Sequence, residues 1–561
     1  MILRFRFKDG TIRVTVDESQ PFAEAIQHVL TRLNATDLYV STDPTSAGKP
    51  VAELAHQLVK ELELRHGDML FVTGPSQGAG ADVCRDTTDS ARSDSAPADS
   101  GPSDSAPKQP NTQLPVDDEL DAQSGAIPRK KSAMCRHSDK GMCEYCSPLP
   151  PWDKTYLDEL KIKHKSFHAH IKELRDQSSS SRGSAEIAPL KAPRYAINTA
   201  CPSGHAPYPA GICSNCQPAP ITLQQQTFRM VDHVEFAAHG VLNDFIDAWR
   251  RSGMQRYGIL YGRYERYDSV PLGIKAIIEA IYEPPQACEL DGITLLGWRD
   301  QTTVDEVAAA LGLYQVGVVF TDLTDARLND GAVLCKRHKD SFFLLCVEVL
   351  MAARNQTRHP NACKHAETGQ YSSKFVTCVV TGNARGEIET RVYQVSAGAE
   401  ALVQADHISA STQPNMVCVK PTQGARYVPE VFYLRINEYG LEVKENARPA
   451  FPVDFLLVTL LESFPVAETP MFRGRFPVEN RDFMGVLQNL QAVRGVLRLG
   501  DVGDVLADFH LLVYLLKKEV LSAEETLLLL RYVRERRDED LRQLVGSSGW
   551  MTLETIVQHS E

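Results

Sequence analysis

Two groups of cysteine and histidine residues carry the strongest chemical signal in this chain. Each group offers three thiolates and one imidazole, and each ends in a Cys-x2-Cys pair that a tight turn can direct at one metal ion. The two sets are Cys135, His137, Cys143 and Cys146, and Cys201, His205, Cys213 and Cys216. Three cysteines with one histidine form the ligand set of a closed, tetrahedral, structural zinc site. The sequence therefore predicts two structural Zn2+ ions, one in each of two zinc fingers.

The first group leaves the identity of its histidine ligand open. His164, His168 and His170 follow the group, and one of them could replace His137. We interpret these three as surface or capping histidines instead. Neither group places a carboxylate as a general base beside an open metal position, as catalytic zinc requires, so the spacing favours structural sites.

Length and cysteine usage limit the class of protein. A chain of 561 residues can form three or four domains. Met1–Phe5 opens an alternating strand pattern rather than a signal peptide, and no apolar run reaches the ~18 residues of a membrane span. We therefore expect no membrane insertion. The thirteen cysteines are mostly isolated or in zinc spacing, which is typical of the reducing cytosol or nucleus.

Charge helps to separate the possible partners. The formal net charge of −12 argues against nucleic-acid binding by the whole chain. Residues 128–216 are nonetheless basic, with fourteen Lys and Arg against eight Asp and Glu. An acidic protein surface or a phosphate backbone could therefore contact the zinc region.

Two segments precede the zinc region. Residues 1–74 alternate apolar and polar positions around a turn at Asp9-Gly10, continue into a helix over Pro21–Leu30 and end in short strands, which is the order of a ubiquitin-like β-grasp domain. Residues 75–130 are rich in Ser, Asp, Pro and Ala and repeat Ser-Asp-Ser-Ala-Pro, so they predict a disordered linker. We interpret the basic triplet Arg129–Lys131 at its end as solvated.

The remaining chain predicts two larger parts after the tandem zinc fingers of residues 131–220. Residues 221–405 combine helix and buried-strand patterns and indicate an α/β domain. Residues 406–561 are mixed and then helical. In that part we predict one helix over Val502–Val520, and Ser522 with Glu525 as the capping box of a second helix.

Seven motifs closely resemble the nuclear protein localization protein 4 family. They are Met134–His137, Ser166–His168, Gly211–Pro218, Tyr257–Tyr264, Ile281–Gln286, Val316–Leu323 and His359–Cys363. The likeness extends from the N-terminal module to the C-terminal helices and omits only the linker. It implies a multidomain α+β fold with a ubiquitin-regulatory X-like domain, two structural zinc fingers, a catalytically inactive MPN-like domain and a mixed to helical C-terminal domain.

The resemblance also implies a function. Members of this family pair with ubiquitin fusion degradation protein 1 and bind polyubiquitinated substrates, with lysine-48-linked chains expected. The pair delivers these substrates to the hexameric valosin-containing AAA+ ATPase for unfolding and proteasomal degradation, which includes ER-associated degradation. The zinc fingers would stand on the ATPase ring, and an unfolded ubiquitin would be held over the pore. The implied location is the cytoplasm and nucleus, with recruitment to the ER surface.

Two features depart from what the resemblance suggests. MPN domains can be zinc deubiquitinases that need a His-x-His pair, an Asp and a Glu, but the matching position here is Phe320-Thr321-Asp322. We therefore predict that the chain is not an enzyme and interpret Asp322 as a strand-end residue. No Cys follows Cys418, so the additional zinc ribbon of some members is expected to be missing. A zinc-dependent deubiquitinase and a nucleic-acid-binding zinc-finger protein are the disfavoured alternatives.

Overall fold

A computed structural model describes most of the chain. The described residues are 2–7, 10–16, 21–22, 26, 39–41, 49–51, 62, 69–73, 112–138, 141–182, 190–199, 201–328 and 330–560. They form a mixed α/β, multidomain protein with two compact units, Met1–Arg85 and Asp86–Glu561. In the described part of the chain, no helix has the length and apolar character needed to cross a membrane.

The first unit contains a five-stranded mixed sheet. Its strands are β1 Ile2–Phe7, β2 Gly10–Thr15, β3 Tyr39–Ser41, β4 Lys49–Pro50 and β5 Met69–Thr73. The sheet order is β2-β1-β5-β3-β4, with β1 antiparallel to β2 and parallel to β5. Phe7 lies opposite Gly10, as the predicted turn requires. The predicted helix over Pro21–Leu30 falls mostly outside the described residues, but Phe22 and Ile26 are buried.

The second unit begins with a helix where the sequence predicted linker. Helix α1 spans Pro115–Ala122, and Val116 and Leu120 are buried against Leu272 and Ile274. The linker prediction is therefore wrong for residues 112–130. Residues 75–111 lie outside the described residues.

The zinc region is connected by short elements. They are α2 Lys154–Glu159, β6 Lys165–Ser166 and α3 Phe167–Arg182, and β6 pairs with β8 Phe228–Arg229. Helix α3 extends through residues that we predicted to form a loop after position 177. Its first turn packs Phe167 and Ile171 into an apolar cluster with Phe228 and Tyr371.

An eight-stranded sheet is the centre of the second unit. Its strands, in sheet order, are β22 Leu457–Thr459, β16 Ile388–Val395, β15 Val376–Gly382, β14 Tyr314–Asp322, β10 Tyr257–Tyr267, β11 Gly273–Tyr282, β9 His233–Phe236 and β23 Leu461–Ser463. The central strands are rich in Val and Ile and almost wholly buried, because helices cover them. Strands β22 and β23 are separated only by Leu460, so one short segment pairs with both ends of the sheet.

Four helices and three small sheets complete this α/β part. The helices are α4 His239–Ser252, α5 Gln301–Ala310, α6 Cys346–Arg358 and α7 Ala397–Gln404. The small sheets comprise β7 Ile221–Leu223 with β19 Val431–Ile436 and β20 Glu442–Asn446, β12 Gln286–Cys288 with β13 Ile293–Leu295, and β17 Ile408–Ala410 with β18 Met416–Val419 and β21 Ala450–Pro452.

The C-terminal part is helical. Its helices are α8 Leu490–Leu499, α9 Val502–Leu506, α10 Phe509–Lys517, α11 Ala523–Glu535, α12 Asp538–Val545 and α13 Ser548–Gln558. The predicted single helix over Val502–Val520 is wrong, because Asp508 interrupts it and accepts a 3.0 Å hydrogen bond from Leu511 N as the N-cap of α10. The predicted capping box of Ser522 and Glu525 is confirmed.

Candidate metal centres and the end of strand β14

The four predicted ligands of zinc finger 1 lie together. Their ligand atoms are all within 4.8 Å of one another. His137 Nε2 is 3.1 Å from Cys146 Sγ, and Cys143 Sγ is 3.7 Å from Cys135 Sγ. A tetrahedral zinc ion with Zn–S bonds of about 2.3 Å separates its sulfurs by about 3.8 Å. The spacing and the donor set therefore fit a zinc ion.

Zinc finger 2 has the same arrangement. Its four ligand atoms also lie within 4.8 Å of one another. Cys201 Sγ is 3.6 Å from Cys213 Sγ, and Cys216 Sγ is 3.4 Å from His205 Nε2. A Cβ on Gly211 would lie 2.9 Å from His205 Nδ1 and 2.6 Å from Ala206 O, so the turn that follows His205 needs a glycine at this position.

Neighbouring groups orient the ligands in both fingers. His137 Nδ1 lies 2.9 Å from Ser138 O, and His205 Nδ1 lies 2.7 Å from Ala206 O. Each imidazole can thus donate from Nδ1 and present Nε2 to the thiolates. The Ser132 backbone N–H lowers the pKa of the Cys135 thiol to about 6. The hydrogen bond with Ser203 does the same for the pKa of Cys213. Both contacts favour the thiolate that binds metal.

The three other histidines lie elsewhere, and the surface interpretation of them is wrong. His168 is 3% exposed and contacts Asp117 and Asp121. His170 stacks on Phe228 at 4.3 Å between ring centroids. Burial lowers the pKa of His164 to about 4. The structure places His137, and none of these three, beside the thiols of the first group.

The end of strand β14 holds an ion-pair cluster. Phe320 is buried in the core, and the guanidinium of Arg337 lies 5.8 Å from the centroid of its ring. Asp322 Oδ2 accepts from Arg337 Nε at 2.7 Å, and Arg337 also donates to Glu348 at 2.6 Å. Burial opposes ionisation of Asp322, but the adjacent Arg337 and Lys336 outweigh it and lower its pKa. Asp322 ends the strand as predicted, but its partners were not foreseen because they are far along the chain.

Thr321, between these two residues, is held by a buried amide. Its Oγ1 donates to Gln255 Oε1 at 2.8 Å, and Leu323 N donates to the same oxygen at 3.1 Å. Gln255 Nε2 donates to the carbonyl oxygens of Leu290 and Leu323. An amide with its acceptor and donors engaged in this way cannot act as a general base.

A groove with a charged floor lies on the same unit. It has a volume of about 690 Å3 and opens between helix α4, the end of β11 and residues 472–486. Glu283, at the end of β11 in this groove, binds Arg256 Nε at 2.9 Å and Arg481 Nε at 3.2 Å. All three side chains are buried. Sequence reasoning missed this triad, because nothing in a local pattern links position 283 to position 481.

Comparison with known proteins gives consistent matches over the chain. A model described as the NPL4 family matches residues 256–558, and a model of a candidate zinc-binding region of that family matches residues 111–253. Three relatives are named Nuclear protein localization protein 4. That of Debaryomyces hansenii is 53% identical over 98% of this chain and 100% of its own length. That of Scheffersomyces stipitis is 52% identical over 100% and 99%, and that of Saccharomyces cerevisiae is 47% identical over 100% of both.

Proposed function

The chain belongs to the NPL4 family, and from that premise we propose that it is a non-catalytic adaptor for ubiquitinated proteins. Together with ubiquitin fusion degradation protein 1, it would bind lysine-48-linked chains and deliver them to the hexameric valosin-containing AAA+ ATPase. This activity would serve proteasomal degradation, which includes ER-associated degradation. It would take place in the cytoplasm and nucleus and at the ER membrane surface.

The end of strand β14 carries the non-catalytic part of this proposal. A metallo-hydrolase of the MPN class would need metal ligands where Phe320 and Asp322 stand. Phe320 offers no ligand atom, and Asp322 is committed to Lys336 and Arg337. A metal that competed for this single carboxylate would leave the buried Arg337 with one partner fewer, at a considerable cost in free energy. The domain is therefore suited to hold a substrate rather than to hydrolyse it.

The zinc fingers supply the second element of the proposal. We propose that each of the two ligand sets, Cys135, His137, Cys143, Cys146 and Cys201, His205, Cys213, Cys216, holds one structural Zn2+ ion. Closed sites of this kind stabilise small folds that have little apolar core. Two such fingers would stand on the ATPase ring as rigid contacts.

The domain boundaries follow from the same proposal. Residues 1–74 would be the ubiquitin-regulatory X-like domain, and their strand order is compatible with a β-grasp fold. Residues 75–111 would be the linker, 131–220 the zinc fingers, 221–405 the inactive MPN-like domain and 406–561 the C-terminal domain. Residues 112–130 join the body through helix α1.

The groove beside Glu283 is a candidate location for an extended polypeptide. A surface that binds only the unfolded form of ubiquitin would increase the population of that form without any energy source of its own. The groove combines apolar and charged side chains over about 690 Å3. Capture of an unfolded ubiquitin there would prepare the substrate for the ATPase.

Reconstitution tests the proposal. Immobilised lysine-48-linked ubiquitin chains are incubated with the ATPase, the partner subunit and this chain, and each component is omitted in turn. We expect ATPase retention only when this chain is present, and intact ubiquitin chains after incubation with Zn2+. Cleaved chains would identify a deubiquitinase, and absence of retention would refute the adaptor. Hydrogen exchange on the retained ubiquitin tests capture, since uniform protection of its amides would contradict it.

A further inference from the structure

We propose that residues 115–129 form a brace that fixes the position of zinc finger 1 on the body of the second unit. The brace consists of helix α1 and the segment that follows it to Arg129. It deepens the proposed function, because a finger that stands on the ATPase must keep its orientation. The sequence predicted these residues to be linker, and the structure gives each end of the segment a separate anchor.

The body end of the brace is anchored by apolar contacts and by buried charge. Val116 and Leu120 pack against Leu272 and Ile274 of the large sheet. Asp117 is 2% exposed, and its Oδ2 accepts from Lys374 Nζ at 2.6 Å. An ion pair buried to this extent holds both partners in place, because separating them leaves a buried charge without compensation.

A second carboxylate on the same helix adds contacts from two further segments. Asp121 lies 3.0 Å from His168 Nδ1 in helix α3, and 3.0 Å from His365 Nε2. Lys364 Nζ lies 2.9 Å from the same carboxylate. His168 Nε2 lies 3.0 Å from Asp117, so one imidazole bridges both aspartates. Helix α1 is thus held by the sheet, by helix α3 and by residues 361–374 at once.

The finger end of the brace holds the turn of the Cys-x2-Cys pair. Ile127 and Leu149 exchange two backbone hydrogen bonds of 2.8 and 3.0 Å. Arg129 Nε donates to Ser147 O at 2.7 Å, and Arg129 Nη2 donates to Glu144 O. Ser147 N in turn donates to Cys143 O at 2.8 Å. The Arg129 side chain is therefore attached to the turn that carries two zinc ligands.

Finger 2 is attached by different residues. Asn198 N donates to Cys216 O at 3.0 Å. Tyr427 accepts from Gln217 Nε2 and packs edge-on against Tyr208, with ring centroids 5.7 Å apart. The brace therefore acts on finger 1, and finger 2 provides an internal control.

The central test compares Arg129→Ala with Lys130→Ala. Both remove one charge from the same basic triplet, but Lys130 is exposed, and only Arg129 reaches the turn. Charge-assisted hydrogen bonds of this kind are worth roughly a tenfold change in a local opening equilibrium. We expect hydrogen exchange at Cys143–Ser147 to be about tenfold faster in Arg129→Ala. Exchange at Cys213–Gln217 and the zinc content should stay at wild-type levels in both variants.

A change at the opposite end tests transmission along the brace. Leu120→Ala removes apolar contact between α1 and the sheet but touches no residue of the finger. It should also accelerate exchange at Cys143–Ser147, whereas Glu119→Gln, on the exposed face of the same helix, should not. Unchanged exchange in Arg129→Ala, or loss of zinc together with faster exchange, would overturn the brace.

Binding to the ATPase hexamer separates the brace from the proposed function. We expect Arg129→Ala to bind the hexamer several-fold more weakly than wild type and Lys130→Ala to bind like wild type, apart from a small effect of charge. Equal affinity of Arg129→Ala and wild type would show that the orientation of finger 1 has no functional role. If the wild-type chain itself fails to bind, the proposed function fails, and the exchange measurements still decide whether the brace exists.

Discussion

A cysteine thiol with a backbone N–H directed at its sulfur is prepared to lose its proton. Cys213 N donates to Cys216 Sγ at 3.1 Å, and Cys143 N donates to Cys146 Sγ at 3.3 Å. Such contacts come from the Cys-x2-Cys turn itself, which is a local feature of the chain. This is why residue spacing predicted both ligand groups, and why the structure brings together the same eight side chains.

Loss of one ligand should remove one metal ion. In Cys213→Ser a weakly acidic hydroxyl replaces the thiolate, and three ligands remain for a site that needs four. We expect native mass spectrometry to find one zinc ion per chain instead of two. Trypsin should then cleave the second finger, because such sites supply the folding energy of their module.

Cys335→Ser is the matched control for this prediction. Cys335 lies outside both ligand groups, so this variant should keep two zinc ions and the wild-type cleavage pattern. Two retained ions in Cys213→Ser would exclude this residue as an essential ligand. Loss of both ions would show that the fingers are not independent.

The end of β14 shows a limit of prediction at the residue scale. The sequence shows that Phe320 cannot bind metal. It does not show that Asp322 is held by Arg337, which lies 15 residues away in the chain. Arg337 would be expected at the surface, yet its guanidinium is buried and also pairs with Glu348. Contacts of this kind depend on the tertiary fold, which a local pattern does not contain.

Helix α1 and the C-terminal helices show the same contrast at the scale of elements. The capping box of Ser522 and Glu525 was predicted because both partners lie within one turn. Helix α1 was missed because only Val116 and Leu120 supply its apolar contact. Its other anchors, Asp117 and Asp121, are residues that a composition argument counts as solvated.

The attachment of helix α1 should depend on pH. Burial opposes a charge on His168, but hydrogen bonds to Asp117 and Asp121 outweigh it and raise the pKa of His168 above 6.5. For Asp121, burial favours the neutral acid, but hydrogen bonds from His168 and His365 outweigh it and lower its pKa below 3.8. A raised histidine pKa stabilises the folded form at pH values below 6.5, and this contribution disappears as pH rises through the raised value. The lowered carboxyl pKa contributes above 3.8 and is lost in acid.

Hydrogen exchange in α1, corrected for the intrinsic effect of pH, measures this dependence. Protection of Val116–Ala122 should be greatest between about pH 4 and 6.5 and should decrease at higher pH, with the ordinary pKa values as limits. In His168→Gln the amide does not titrate, so the decrease on the alkaline side should vanish and overall protection should be weaker. A decrease of the same size in both proteins would show that another group is responsible.

The whole second unit depends on contacts between distant parts of the chain. Residues 457–463 pair with both ends of the large sheet through strands of only three residues. The C-terminal helices share a core with α5 and with Tyr261 and Tyr282 of the sheet. The sequence predicted an α/β part followed by a helical part. It could not predict how they join, because strands this short have no periodicity to detect.

Glu283 is the residue at this junction whose change should have the largest effect. It is 0% exposed and carries the negative charge between Arg256 and Arg481, which come from the sheet and from the segment before the C-terminal helices. Glu283→Gln keeps the shape of the side chain and leaves two buried guanidinium groups without a counter-charge. Removing one partner of a buried ion pair typically costs about 3–5 kcal/mol.

We expect this cost to appear as lower resistance of Glu283→Gln to urea and as faster hydrogen exchange in residues 480–486. Asp247→Asn is the control, since its partner Arg250 is about half exposed and an exposed pair contributes ~0–1 kcal/mol. Equal urea midpoints for the two variants would mean that Glu283 does not hold the junction. A triple change to apolar residues at Arg256, Glu283 and Arg481 removes all three charges together. It should be less destabilising than Glu283→Gln, because the cost in the single variant comes from the unpaired guanidinium groups and not from the absence of the ion pairs themselves.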